Sequence, residues 1–90
     1  MAGTEARAGA NTFGPRIMRL ADHLAQWSEQ PDALTVTYFS EAHRKVAAEL
    51  GNLLRAAGME VRTDAIGNVI GRYEASAPNA KTLLLGSHYD

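Results

Sequence analysis

The chain has 90 residues, of which 46% are hydrophobic and 21% are charged, and it contains no cysteine. This length allows one domain at most, and the composition is typical of a globular protein. Nine basic and ten acidic residues give a net charge of −1, which argues against a broad nucleic-acid or anionic-membrane surface. The absence of cysteine excludes disulfides, thiolate metal sites and cysteine nucleophiles. Apolar runs such as residues 83–85 are too short to span a membrane, and no secretory signal is evident, so we expect a cytoplasmic protein.

The N-terminal part is predicted to contain a tail and one helix. Residues 1–13 are mostly alanine, glycine and polar residues, a composition that predicts a mobile tail. A helix is predicted from Gly14-Pro15, because proline is well tolerated in a first helical turn. Its apolar face consists of Ile17, Leu20, Leu24 and Trp27, at spacings of three and four. After the polar run that ends at Asp32, residues 33–39 are predicted to form either an extended connector or a minor strand.

The second helix carries the clearest signals in the chain. Ser40 is a typical N-cap, and the acidic Glu41 follows it at the positive end of the helix dipole. Gly51 lies inside the helix and could allow a close crossing. Gly58 occupies the position of a left-handed C′ residue, so Met59 should fold back on the last helical turn. The predicted apolar stripe consists of Val46, Leu50, Leu53, Leu54 and Ala57.

After this helix the apolar period changes from 3.6 to 2, which predicts strands. Residues 59–73 are predicted to form a hairpin whose turn, residues 63–68, contains Gly67 with a positive φ. Residues 74–81 should form a loop. The continuous apolar run at residues 82–86 predicts a strand that is covered on both faces in a complete fold, whereas in an isolated segment we expect it to be an exposed edge.

Candidate chemistry lies in the last five residues, GSHYD, directly after the predicted buried strand. Ligands collect at the carboxyl ends of strands in open α/β sheets. His88 and Asp90 are two residues apart and should project to the same side of an extended chain. A metal-bound histidine usually donates its other ring N–H to a carboxylate, so the pair could supply one ligand and the carboxylate that orients it. The alternative interpretation of residues 88–90 is a surface turn.

Three stretches together resemble one enzyme family: YFSEAHR at residues 38–44, GMEVRTDAIGNVIGR at residues 58–72, and LLLGSHYD at residues 83–90. The resemblance is to the start of the allantoate amidohydrolase and N-carbamoyl-L-amino-acid hydrolase family, within a superfamily of dinuclear metallopeptidases. It extends over about residues 16–90.

This resemblance implies an α/β fold in which residues 14–90 (two helices, a hairpin and a buried strand) form the N-terminal portion of a three-layer α/β/α catalytic domain. It implies two divalent metal ions, zinc or manganese, with His88 as a metal ligand and Asp90 as the carboxylate that orients its imidazole. The small-molecule substrate would be a ureido or carbamoyl compound, with allantoate first and N-carbamoyl amino acids second. The family also implies a homodimer. Its remaining ligands and general base lie further along, so we expect the 90-residue chain alone to be inactive.

The other titratable residues have simpler interpretations. His23 is four residues before Trp27 on the same helix and is predicted to be a packing or surface residue, whereas His43 is predicted to have a helix-start or surface role. Neither matches a ligand position of the family. The basic residues are dispersed, which favours solvated faces over a nucleic-acid surface. The rival hypothesis for the whole chain is a non-catalytic domain, either truncated or a binding fragment.

Overall fold

The first helix is longer than the sequence predicts. The structure, a computed structural model, describes the backbone of residues 2–90 and the side chains of residues 13–90. Helix α1 spans Ala2–Ala25 and contains Pro15 in its interior, so the predicted start at Gly14-Pro15 is wrong. An interior proline removes one helical hydrogen bond but has a φ compatible with a helix, and here the helix continues through it. The mobile tail predicted for residues 1–13 falls almost entirely outside the described side chains and stays a prediction.

Helix α1 contacts the rest of the fold near its C-terminal end. Leu20, Leu24 and Trp27 are half-buried, whereas Ile17 is exposed. The connector that follows, residues 33–39, contains no strand, so the first of the two predicted alternatives is correct.

Helix α2 spans Glu41–Ala56 and has the predicted caps at both ends. Ser40 Oγ accepts a hydrogen bond from the backbone N–H of His43 at 3.1 Å. At the other end, Gly58 has a φ of +90°, and the N–H groups of Gly58 and Met59 donate to the carbonyls of Arg55 and Leu54 at 2.9 and 3.1 Å. These two bonds are those of a Schellman motif, which confirms the predicted helix end.

The predicted hairpin is also confirmed. Strands β1, Glu60–Thr63, and β2, Val69–Arg72, pair antiparallel with Val61 opposite Gly71. The hairpin packs closely on α2. A Cβ added at Gly71 would lie 2.9 Å from Met59 Sδ and 3.0 Å from a methyl of Leu54. Because such distances are shorter than real carbon contacts, only glycine lets the strand approach the helix this closely.

The core is small and centres on α2. Among the described side chains, Ala42, His43 and Val46 are buried, and the backbone of Gly51 is covered by the hairpin, where an added Cβ would lie 3.6 Å from Val61 Cγ1. That distance is an ordinary van der Waals contact, so the hairpin covers Gly51 without an approach that only glycine allows. Within residues 2–90, no helix has the length and apolar character needed to cross a membrane.

Residues 73–90 contain neither helix nor strand. The strand predicted for residues 82–86 is thus absent from the described chain, and Leu83, Leu84 and Leu85 are 83 to 87% exposed. A strand requires a neighbour for its backbone N–H and C=O groups, and residues 82–86 pair with neither outer edge of the β1–β2 sheet. The exposure agrees with the expectation for an isolated segment. The described elements form a small α/β unit of two helices and a two-stranded sheet.

Candidate functional site

The two predicted site residues lie side by side on the surface. The side chains of His88 and Asp90 are 84% and 46% exposed. His88 Nδ1 lies 3.2 Å from the backbone oxygen of Asp90 and 3.6 Å from its carboxylate Oδ1. The first distance is within hydrogen-bonding range, whereas the second is a close electrostatic contact. Both contacts are made by Nδ1, so Nε2 points away from Asp90 and is available to another group.

The residue between them points the other way. The ring of Tyr89 stacks on the ring of His43, with centroids 4.5 Å apart and an interplanar angle of 14°. Its hydroxyl donates a hydrogen bond to the backbone carbonyl of Gly67 at 2.5 Å. Burial raises the pKa of Tyr89, and the nearby Tyr38, Asp90 and Asp64 raise it further. Tyr89 is therefore the residue that attaches the C-terminal segment to the folded unit.

His43 is the buried centre of an aromatic cluster. It lies at the start of α2 as predicted, but it is only 4% exposed, so a surface role is wrong. The edges of the Tyr38 and Phe39 rings approach it, with centroids 5.3 and 6.1 Å from its own. We call Tyr38, Phe39, His43 and Tyr89 the aromatic cluster. Burying an imidazole among three aromatic rings fixes the ring plane against which Tyr89 stacks.

The hairpin turn forms the other wall of this cluster. The carboxylate of Asp64 accepts hydrogen bonds from the backbone N–H groups of Ile66 and Asn68, at 3.1 and 2.8 Å, and from the side-chain amide of Asn68, at 2.7 Å. These bonds, first of all that from the Asn68 side chain, hold the pKa of Asp64 below its usual value, and the charge of Arg62 adds to the effect. The turn is thus tied to one carboxylate.

Gly67 occupies a position in this turn that other residues would strain. Its φ is +91°, and an added Cβ would lie 3.2 Å from a ring carbon of Phe39. The sequence predicted the positive φ, which the structure confirms. On the preceding residue, the carbonyl of Ile66 accepts a hydrogen bond from the hydroxyl of Tyr38. Two consecutive carbonyls of the turn therefore accept hydrogen bonds from tyrosine hydroxyls of the aromatic cluster.

The three stretches singled out in the sequence meet at this place. Residues 38–44 supply three of the four aromatic rings, residues 64–68 form the turn, and residues 86–90 supply Tyr89. A groove of about 390 Å³ runs beside the cluster and is bordered by Arg44, Asp64 and Tyr89. Sequence reasoning missed the pairing of His43 with Tyr89. The available signal was the alternation within GSHYD, where an aromatic residue lies between two polar ones.

The described residues do not form a metal site by themselves. Among them, no group of three or more histidine, cysteine, aspartate or glutamate side chains is placed to hold a metal ion. His23, a second histidine, is engaged elsewhere: its Nε2 lies 2.7 Å from a Glu49 carboxylate oxygen, and its ring meets the Trp27 ring edge-on at 5.3 Å. His23 is thus a partly exposed residue that packs on Trp27, in agreement with the predicted packing or surface role. His88 therefore offers a single exposed imidazole.

Comparison with known proteins identifies relatives across most of the chain. An N-carbamoyl-L-amino-acid amidohydrolase from Geobacillus stearothermophilus is 35% identical over 78 residues, which is 86% of the chain and 19% of that protein. One from Paenarthrobacter aurescens is 32% identical over 75 residues, 83% of the chain and 18% of that protein. A ureidoglycolate hydrolase from Arabidopsis thaliana is 30% identical over 77 residues, 84% of the chain and 16% of that protein.

By sequence, the chain belongs to the allantoate amidohydrolase and N-carbamoyl-L-amino-acid amidohydrolase family. It spans less than one fifth of the length of these amidohydrolases. No protein-family model and no solved structure matches the chain. Its membership in the amidohydrolase family rests on the curated relatives.

Proposed function

We propose that the chain is the N-terminal portion of a metal-dependent amidohydrolase that hydrolyses a C–N bond of a ureido or carbamoyl compound. The observation that carries this proposal is the similarity to amidohydrolases over more than four fifths of the chain. The relatives' names cover three substrates: N-carbamoyl-L-amino acids, ureidoglycolate and allantoate. We propose allantoate first, because residues 40–44 and 64–68 resemble that branch most, and N-carbamoyl amino acids second.

His88 is the proposed metal ligand, and the local geometry supports this role. Its imidazole is exposed, and Nδ1 faces the backbone oxygen and the carboxylate of Asp90. A partner on one ring nitrogen selects the tautomer and raises the basicity of the other. Nε2 is then the atom that would bind the metal, and Asp90 would be the residue that orients the ring.

The proposed cofactor is a pair of zinc or manganese ions. When bound, they would supply Lewis-acid polarisation of the scissile carbonyl and a water molecule of lowered pKa. A catalytic metal needs about three protein ligands, and one imidazole with its orienting carboxylate does not meet that requirement. We propose that the other ligands and the general base belong to the part of the enzyme outside residues 1–90, and that residues 1–90 alone neither bind the metals tightly nor turn over substrate.

The proposed parent fold is a three-layer α/β/α domain in which residues 82–86 form a central strand. The support is the uninterrupted apolar sequence of this run and the 83 to 87% exposure of its three leucines when no neighbouring strand is present. A central strand points alternate side chains to opposite faces, so both layers would be needed to cover residues 83–85. A homodimer and a cytoplasmic location complete the proposal.

The test uses a protein that carries this segment at the length of its relatives. Metal content is measured on the purified protein, and ammonia release is assayed with allantoate, ureidoglycolate and an N-carbamoyl-L-amino acid. His88→Ala should remove most of the bound metal and the activity, whereas Asp90→Ala should lower metal affinity or activity about 10–100-fold. The matched control is His23→Ala, a histidine engaged with Glu49 and Trp27.

The outcomes separate the parts of the proposal. Wild-type metal content and activity in His88→Ala would contradict the assignment of the ligand and of the reaction. Turnover of one substrate but not the other two identifies the substrate branch. Robust turnover by the 90-residue chain alone would show that the site has been placed wrongly. Absence of metal and of turnover in the longer protein would instead favour the non-catalytic domain.

A further inference from the structure

We propose that Tyr89 and His43 are positioning residues, which hold the C-terminal segment so that His88 and Asp90 face outwards in a fixed direction. This inference rests on the proposed role of His88, but it concerns a different property of the site. The proposed ligand His88 and the orienting residue Asp90 lie in a segment without helix or strand. Something other than secondary structure must therefore fix the direction of its side chains.

Tyr89 supplies that attachment through two independent contacts. Its ring stacks on His43, with centroids 4.5 Å apart, and its hydroxyl donates to the Gly67 carbonyl at 2.5 Å. The first contact fixes the plane of the ring, and the second fixes its rotation within that plane. Together they determine where the backbone of Tyr89 lies relative to α2 and the hairpin turn.

The neighbours of Tyr89 inherit this placement. His88 and Asp90 are on the opposite side of the chain from Tyr89, exposed and 3.6 Å apart between Nδ1 and Oδ1. With Tyr89 turned inwards, both polar side chains are turned outwards. Metal sites lose activity when ligands are displaced by as little as about 0.5–1 Å. Anchoring Tyr89, which lies between the ligand and its orienting carboxylate, would therefore keep both groups in position.

Both partners of Tyr89 are held in place by burial or hydrogen bonds. His43 is buried on the first turn of α2, where its backbone N–H donates a hydrogen bond to the side chain of the N-cap residue Ser40. Gly67 belongs to the turn that the Asp64 carboxylate holds with three hydrogen bonds. The anchor thus connects the C-terminal segment to the start of a helix and to a hydrogen-bonded hairpin turn.

The test measures backbone order in the 90-residue chain by ¹⁵N relaxation, without metal or substrate. In the wild type, the amides of Tyr89 and His88 should have order parameters near those of the hairpin, about 0.8 or above, whereas Leu84 should be below about 0.6. Tyr89→Leu should lower the order parameter of the His88 amide to that of Leu84. Tyr89→Phe, which keeps the stacked ring and loses the hydroxyl, should give an intermediate value.

The matched control is Tyr73→Leu, at a tyrosine that is 71% exposed. It should leave the order parameter of His88 unchanged. A wild-type value below about 0.6 at His88, or an unchanged value in Tyr89→Leu, would overturn the proposal. If Tyr89→Leu unfolds the chain, the comparison of wild type with Tyr89→Phe decides, and equal values at His88 contradict the role of the hydroxyl.

A second measurement uses the longer protein and connects the anchor to the metal. Tyr89→Leu should weaken zinc affinity about 10–100-fold, as does the loss of a residue that orients a metal ligand without binding the metal. Tyr89→Phe should recover part of the lost affinity. Unchanged zinc affinity in Tyr89→Leu, with the relaxation result as expected, would contradict the positioning role and leave the amidohydrolase proposal standing. Absence of zinc binding in the wild type would contradict the proposed function, while the relaxation result reports on the anchor alone.

Discussion

Residues 40–72 and residues 73–86 are both rich in apolar side chains, yet only the first region covers them. Helix α2 and the hairpin pack so closely that an added Cβ at Gly71 would overlap Met59 and Leu54. In the second region, the leucines at residues 83–85 are almost fully exposed. The two regions differ in where their partners lie: those of the first lie within about 30 residues, whereas the second has no strand beside it in the described chain.

The difference shows which interactions a short segment can complete. A cap, a Schellman motif and a hairpin turn each need groups a few residues away, and all three are formed here. A central strand needs neighbours on both sides and layers on both faces. Its apolar side chains need to be covered by such neighbours, and they stay exposed until the neighbours are present.

The largest effect is expected from a side chain at Gly67, in the covered region. Gly67→Val introduces a β-branched residue at a φ of +91° and places its Cβ 3.2 Å from the Phe39 ring. The strain should lower the free energy of unfolding by about 1–3 kcal/mol, measured by urea denaturation. The matched control is Gly86→Val, in the other region, where an added Cβ meets no atom within 4 Å. Equal midpoints for the two variants would contradict the difference between the regions.

A smaller, pH-dependent effect is expected from Asp64. Its pKa in the folded chain is lower than the usual 3.8, first of all because Asn68 donates to its carboxylate. The folded state therefore gains stability from this group above pH 4, and loses it as the pH falls through the lowered pKa. Asp64→Asn keeps an oxygen for the turn but removes the titration.

The thermal midpoints of wild type and Asp64→Asn, measured from pH 6 to pH 2, test this expectation. The wild type should be the more stable at pH 6, and the difference should shrink towards pH 2. Asp32→Asn, at an exposed position before the connector, is the control and should follow the wild type. A constant difference between wild type and Asp64→Asn across the range would show that the carboxylate is not the group that stabilises the turn.

The smallest effect is expected from Leu84→Ser in the 90-residue chain. Because this leucine is 87% exposed, the change should alter the free energy of unfolding by no more than about 0.5 kcal/mol. Leu54→Ser is the matched variant in the covered region, where the leucine methyls contact the hairpin, and it should cost at least about 1 kcal/mol. In a protein long enough to form the proposed sheet, Leu84→Ser should become destabilising as well. A large loss in the short chain would show that residues 83–85 are already covered.

The parts of the fold that sequence predicts well are those determined locally. Ser40, Gly58 and Gly67 each occupy the position that their chemistry predicts, and the change of apolar period locates the hairpin. The predicted start of α1 was wrong because proline is favoured in the first turn of a helix but is not confined to it. Here the helix continues through the interior Pro15. The strand at residues 82–86 is absent because strand formation depends on a partner that local sequence does not contain.

The candidate site divides in the same way. The placement of His88 beside Asp90 follows from a spacing of two and was predictable, although their role in binding metal stays a prediction. The burial of His43 was not predictable, because it depends on Tyr89, which is 46 residues away in sequence. Tyr38 and Phe39 cover His43 from nearby in sequence, and the contact with the distant Tyr89 completes the cluster around it.

The missing side chain of Gly71 also prevents slippage of the hairpin. Shifting β2 by two residues would keep its faces but bring Val69 or Tyr73 opposite Val61, in place of Gly71. Either residue would put a Cβ at the position where one built on Gly71 would lie only 2.9 Å from Met59 Sδ. A shift by one residue would exchange the two faces of the strand. The two strands can therefore align in one way, the loop between them keeps one length, and the Gly67 carbonyl stays within reach of the Tyr89 hydroxyl.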